Sequence, residues 1–373
     1  MKENKAVGPN LKTYYYYTNA KADETKVKGV IILATGMEGS GNLYDEIGGY
    51  LDSKGYALYA IDELGYGKTG EVRKKTDYKN WKHNSGHYAS YNVHSLSVLA
   101  KNNHKDAPVY LVGNDFGSML SLYLIREFPE VVDKVVTIGW GAPRLQDYCF
   151  LFNSFVKKIF LYDDGESKLG HWSKNKRYAF RFERGDKYAW LTSDQGQLEK
   201  IKNAGYLDTA GTVGHYYNYF KFKVKVPSWM KLKKCDKATP MLLISGDNDL
   251  STLNGRTTRS LERMLKMRGF SNVSSLVVPG RHELLFEDNR FAVVDKILSW
   301  LGNSNELVVR DEEIKQEPVV EKVEVVTGVN NSIKEEAVAE EVIEVKEEAI
   351  SVSFDELQEA EDELLISARK EEK

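Results

Sequence analysis

The chain has 373 residues, 42% of them hydrophobic and 29% charged, with 52 basic against 55 acidic residues and a net charge of −3. The charge is unevenly divided: residues 303–373 carry 22 acidic and 8 basic side chains and neither Trp nor Tyr, a net of −14, which leaves +11 on residues 1–302. Two cysteines, Cys149 and Cys235, with no CxxC pair and no His/Cys cluster at ligand spacing, argue against a disulfide framework and a structural zinc site, and no stretch approaches the roughly 18 apolar residues of a membrane span.

The first 13 residues are polar and lack the apolar run of a secretory signal, which predicts a cytoplasmic protein. Residues 12–17 read as an edge strand. Downstream, short apolar runs at 30–34, 57–61 and 109–112 alternate with amphipathic stretches at 42–54, 88–101 and 116–128, the last closed by Pro129. That alternation predicts an α/β architecture: a mostly parallel central sheet with helices on both faces. Strands are expected at 135–139, 240–245 and 275–278, with helices at 255–267 and 289–300. Between them, residues 142–238 are rich in Lys, Tyr, Phe and Trp and read as helical or irregular. The expected organisation is a core of 1–141 and 239–302, an inserted cap of 142–238, and a disordered acidic tail of 303–373.

The sharpest local signal is Gly113-Asn114-Asp115-Phe116-Gly117, between a predicted strand and a predicted helix. A tight strand-to-helix turn lifts its central residue out of the sheet and requires flanking positions without side chains. Gly113 and Gly117 meet that requirement, and Asp115 takes the lifted position. An acid and then a histidine should follow on later strand-end loops. Asp249, in Ser245-Gly246-Asp247-Asn248-Asp249, and His282, in Gly280-Arg281-His282-Glu283, occupy those places. Asp247 competes with Asp249 for the histidine. The other six histidines read as structural. Met37 and Phe116 are expected to supply the backbone donors of an oxyanion hole. Ser118 lies one step inside the helix, where it would point along the axis and not into a cleft.

These residues resemble the monoacylglycerol lipases and bacterial lysophospholipases of the α/β-hydrolase superfamily, sometimes grouped with serine aminopeptidases, over about residues 25–302. Thr35-Gly36-Met37-Glu38-Gly39-Ser40 looks like that family's His-Gly oxyanion segment, Asp62-Glu63-Leu64-Gly65-Tyr66-Gly67 like its Asp-His-Arg-Gly-His-Gly loop, and Ala189-Trp190-Leu191-Thr192-Ser193-Asp194 like the cap of its bacterial members. Departures from the pattern include Thr35 for histidine, Leu64 and Tyr66 for arginine and histidine, and Asp115 for serine. The resemblance implies an α/β-hydrolase fold, a lipid or acyl substrate, and no cofactor, metal or nucleic acid. An aspartate in the elbow also resembles the epoxide hydrolases, which attack an sp³ carbon and draw acidic donors from the cap, where this chain has eight tyrosines. Haloalkane dehalogenases share the aspartate but commonly follow it with tryptophan, where Phe116 stands here. A non-catalytic lipid- or acyl-binding relative is the third reading.

Two further segments invite interpretation. Residues 216–234 interleave Tyr219, Phe220, Phe222 and Trp229 with six lysines, as in a surface resting on anionic lipid or in an edge strand over 219–226 with lysines outward. In the tail, residues 353–368 read as a weakly amphipathic segment able to form a transient helix.

Overall fold

The computed structural model describes residues 1–302 except 9–12, 37–38, 72–84, 163–164, 174–177, 179–180, 183–185, 206, 208–210 and 230–235. Met37, His83, Tyr206, Lys231, Lys233, Lys234, Cys235, Lys12 and the tail with its segment 353–368 therefore lie outside the described residues. Everything described belongs to a single unit, Met1–Asp311.

The elements run in the order β1 Lys2–Val7, β2 Thr13–Thr18, β3 Gly29–Ala34, α1 Asp45–Lys54, β4 Tyr56–Ile61, α2 Gly67–Glu71, α3 Ser85–Asn103, β5 Val109–Asn114, α4 Phe116–Glu127, β6 Lys134–Ile138, α5 Leu145–Leu161, α6 Lys168–His171, α7 Gln195–Asn203, α8 Val213–Trp229, β7 Met241–Gly246, α9 Arg256–Met267, β8 Val273–Val278 and α10 Arg290–Gly302. Among the described residues the sheet has eight strands ordered β1-β2-β4-β3-β5-β6-β7-β8. Strands β3 to β8 run parallel, and β1 and β2 add on antiparallel. This is the α/β-hydrolase fold.

Period-two burial builds the two layers. Along β3, Val30, Ile32 and Ala34 face one hydrophobic cluster, while Ile31 and Leu33 face the other. Strands covered by helices on both sides must be apolar throughout, which is why β3, β5 and β7 are buried at every position.

Two expectations need correction. Residues 13–18 form a strand, but not the edge: β1 pairs outside it, from Lys2 against Thr18 to Val7 against Thr13. Residues 219–226 are not a strand at all; they lie within α8, which packs against α3, α4, α5 and α9. There Tyr219, Phe220 and Phe222 are at most 5% exposed, and Lys223 is buried beside Asp147 of α5, Nζ 3.4 Å from Oδ1. Of the aromatics expected to meet a lipid surface, Tyr219, Phe220 and Phe222 are core residues. The exposed apolar face of this region belongs to α5, where Leu145, Phe152 and Phe160 point outward. No helix among the described residues is long and apolar enough to cross a membrane.

Candidate active site

The turn from β5 into α4 holds Asp115 at φ 46°, ψ −109°, a left-handed conformation that a side-chain-bearing residue adopts only where its surroundings enforce it. The enforcement is visible. The Asp115 amide donates to the Ile138 carbonyl at 2.9 Å, and the Ser118 amide donates back to the Asp115 carbonyl at 3.1 Å. A Cβ on Gly113 would lie 2.4 Å from the Gly117 carbonyl oxygen, and one on Gly117 would lie 2.0 Å from that of Ala34. Both glycines are thus required by backbone contact between β3, β5 and α4. Ser118 is fully buried and donates to the Gly113 and Ile138 carbonyls, turned away from the cleft.

His282 sits between two carboxylates. Its Nδ1–H is directed at both Asp249 oxygens, each 3.2 Å away, with Ser251 Oγ at 3.0 Å, and its Nε2 lies 3.7 Å from Asp115 Oδ1. All three site residues are at most 5% exposed. Burial pulls the imidazole toward neutrality, but the charges of Asp249 and Asp115 and the contacts to both outweigh it and hold its pKa well above the usual value. Burial likewise opposes ionisation of Asp249, yet the His282 charge and contacts to His282 and Ser251 keep its carboxyl below the usual range. Each partner thus favours the charged form of the other. Asp247 takes another part: it is exposed, and its Oδ1 accepts from the Gly280 amide at 3.0 Å, pinning the loop that carries His282.

The histidine loop is also clamped from the insertion. Arg281 Nη1 donates to the carbonyls of Ala189 and Thr192, Thr192 Oγ1 donates to the Phe286 carbonyl, and the Glu283 amide donates to Leu191. Trp190 covers the imidazole with ring centroids 4.9 Å apart. Residues 189–193 thus act as a strap across His282, a role that the motif alone did not indicate.

Sequence reasoning also missed a polar cluster beside Asp115. Asn114 Nδ2 donates to Glu283 Oε2 at 2.6 Å and to the Tyr44 hydroxyl at 3.2 Å, joining residues as many as 169 positions apart. These side chains line a narrow pocket of about 400 Å³ with Asp115, His282, Leu43, Leu191, Ile201, Leu207 and Phe286. A second pocket, of about 410 Å³, opens on the other side of the Asp115–His282 pair and is lined by Trp140, Tyr178, Tyr219, Lys223 and Ser251.

Of the expected oxyanion donors, Phe116 opens α4, so its amide is among those at the helix N-terminus. Met37 lies outside the described residues, but the loop that carries it runs beside the acid: a Cβ on Gly36 would be 3.2 Å from that of Asp115. Thr35, at the resembled histidine position, is buried and donates to the Ile61 carbonyl at 3.0 Å. Tyr66 meets His215 Nε2 at 2.9 Å, His87 meets Tyr123, His104 meets Tyr59, His171 meets Tyr216, and His94 stacks on Phe128. No group of three or more His, Cys, Asp or Glu side chains that could hold a metal ion occurs among the described residues.

Residues 25–289 match the hydrolase family described as serine aminopeptidase, S33. Among solved structures, the chain is similar to a highly thermostable carboxyl esterase from Bacillus coagulans in complex with glycerol, with TM-score 0.70 and 19% identity over 80% of this chain and 97% of that one. It is also similar to a soluble variant of monoglyceride lipase from Saccharomyces cerevisiae in complex with a substrate analogue, with TM-score 0.60 and 12% identity over 78% and 91%. A third is the monoacylglycerol lipase of Paleococcus ferrophilus, with TM-score 0.57 and 16% identity over 77% and 98%. At these identities the likeness is one of fold.

Proposed function

The chain belongs to the serine aminopeptidase S33 family of α/β-hydrolases, and from that premise we propose that it is a hydrolase of small lipid-like or acyl-chain substrates in which Asp115 is the attacking group. The observation that carries the reading is the strained Asp115 conformation, retained with His282 held between Asp115 and Asp249. A strained turn is costly, and it delivers the carboxylate to the same cleft that the imidazole faces.

The chemistry of a carboxylate decides which bond it attacks. On an ester carbonyl it would form a high-energy anhydride, whereas on the sp³ carbon of an epoxide it forms an ordinary ester. In the proposed sequence an Asp115 oxygen bonds to the epoxide carbon, and the ring C–O bond breaks with its electron pair going to the departing oxygen. That oxygen takes a proton from a hydroxyl in the pocket beside Asp115, where Tyr178 and Tyr219 stand. Esterification neutralises Asp115 and so removes one of the charges that raise the His282 pKa. His282 passes its proton to the phenolate left by ring opening and then takes one from the water that attacks the ester carbonyl; the acyl C–O bond breaks with its electron pair going to the diol oxygen, which takes the proton of the new carboxyl and so restores the Asp115 carboxylate. The apolar end of the substrate is assigned to the pocket lined by Leu43, Leu191, Ile201, Leu207 and Phe286. Residues 142–238 then serve as the cap and 1–141 with 239–302 as the core, and the backbone donors are those of Phe116 and Met37.

The fold similarity to a carboxyl esterase and two monoacylglycerol lipases favours a second reading, ester hydrolysis at the same centre. The test compares an aryl or alkyl epoxide with a short-chain p-nitrophenyl ester, using wild type, Asp115→Ala, Asp115→Ser and His282→Ala. Epoxide turnover lost in Asp115→Ala, with a substrate-mass adduct accumulating on Asp115 of His282→Ala by mass spectrometry, is expected. Ester turnover lost in both alanine variants without an adduct supports the second reading. No wild-type turnover of either substrate, with ester activity appearing in Asp115→Ser, overturns both and leaves a binding protein.

A further inference from the structure

Outside the two narrow pockets, a third and much larger concavity, a groove of about 1400 Å³, opens to the surface where α5, the turn at Tyr178 and the loop after Asp249 meet. Its described lining contains three guanidinium groups, those of Arg144, Arg181 and Arg256, and no carboxylate. Arg144 is partly committed, with Nη2 donating to the Tyr178 hydroxyl at 2.9 Å and Nε 3.8 Å from Asp147. Arg256 is exposed, and no carboxylate pairs with it among the described residues. Arg181 is also exposed, and its amide donates to the Tyr178 carbonyl at 3.2 Å.

The groove leads toward the candidate active site. Tyr178 forms part of its wall and part of the wall of the pocket that holds Asp115 and His282. Lys223, 6% exposed and paired with Asp147, also lines that inner pocket. Apolar surface accompanies the charge: Trp172 and Leu253 line the groove at 49% and 43% exposure. Leu253, Asn254 and Gly255 are three successive residues with positive φ, of 53°, 56° and 82°. A leucine held in the left-handed region with its side chain half in solvent is strained without a packing reward in the free protein.

We propose that this groove receives the anionic oxyacid headgroup, carboxylate or phosphate, of an amphiphilic substrate, with Arg181 and Arg256 as its specificity-determining contacts. The alkyl part lies over Trp172 and Leu253, and the reacting carbon passes Tyr178 to reach Asp115. The proposal rests on the reading of Asp115 as the attacking group but is tested by binding, which needs no turnover.

The experiment titrates wild type and Arg181→Gln/Arg256→Gln with octyl phosphate, octanoate, octanol, octyltrimethylammonium and inorganic phosphate. Binding is followed by tryptophan emission, since Trp172 lines the groove and Trp140 and Trp190 the inner pocket. Both arginines are exposed, so the double variant retains the fold, which circular dichroism checks. An octyl anion is expected to bind at least about fivefold more tightly than octanol or the ammonium, and the double variant to erase that preference while leaving octanol unchanged. The tighter of the two anions identifies the headgroup. Equal binding of octanol and both anions, a double variant with undiminished preference, or inorganic phosphate binding as tightly as octyl phosphate each overturns the proposal. Asp115→Ala separates the two claims: lost turnover with intact anion preference supports both, whereas turnover that survives the substitution beside the same preference defeats only the catalytic reading.

Discussion

The local chemistry turns on one proton. Asp249 and Asp115 outweigh the effect of burial and raise the His282 pKa. Replacing Asp115 by Asn keeps the shape and removes one charge, as esterification would. The His282 pKa is therefore expected to fall, because one of the two opposite charges that raise it is gone. Histidine ring signals followed through an NMR pH titration of wild type and Asp115→Asn measure it. An unchanged midpoint would disconnect the base from the attacking group and remove the proposed reason for its timing. The three positions that converge in the cleft, Asp115, Asp249 and His282, were legible in the sequence because strand-end loops and paired glycines mark them locally. The Asn114–Glu283 contact was not, since it depends on which side of a loop faces the cleft.

At the scale of elements, backbone proximity explains the placement of α4 against the sheet. A Cβ on Gly117 would meet the Ala34 carbonyl oxygen at 2.0 Å, a contact that only a shift of β3 or α4 relieves. By contrast, Gly49 of α1 has open space at its Cβ position and is exposed. Gly117→Ala is thus expected to cost about 3 kcal/mol or more, by overpacking against backbone, while Gly49→Ala stabilises by about 0.5–1 kcal/mol through helix propensity. Urea unfolding of the two variants gives both numbers, and similar effects from the two would refute the close approach. The buried strands β3, β5, β6 and β7 were readable because both faces are covered, giving continuous apolar runs. Strand β1 was not, because an edge strand exposed at Lys2, Glu3, Lys5 and Val7 has no apolar pattern to show. In α8 the aromatic and lysine residues alternate, which looks strand-like. The structure makes a helix there because neighbouring helices cover the chain on several sides, and burial all round erases the amphipathic period.

For the whole molecule, folding couples to pH through groups outside the reaction. Glu63 is 1% exposed, and among the described residues no side chain hydrogen-bonds to either carboxylate oxygen. Burial, reinforced by the charge of Asp62 against a single opposing amide contact, pushes its carboxyl well above the usual range. Burial pushes Asp62 up to about 6 against its contacts to Ser40, Gly41, Lys68 and Thr69. Both acids hold protons more tightly folded than unfolded, so their contribution to stability declines as pH rises from about 4 toward their folded values. His282 acts in the same direction over a higher range: its contribution is complete below about 6.5 and is lost as pH climbs through its raised folded value. Glu63→Met, which replaces an unsatisfied acid by an apolar chain of similar volume, is expected to stabilise the protein by about 1–3 kcal/mol, and by more at pH 8 than at pH 5. His282→Gln should cost more at pH 6 than at pH 9. Denaturant unfolding of both variants at paired pH values measures these slopes. A Glu63→Met gain that is equal at pH 5 and pH 8 would mean that Glu63 is ionised in the folded protein and has a counterion, and a His282→Gln cost independent of pH would mean that the imidazole between Asp115 and Asp249 is neutral.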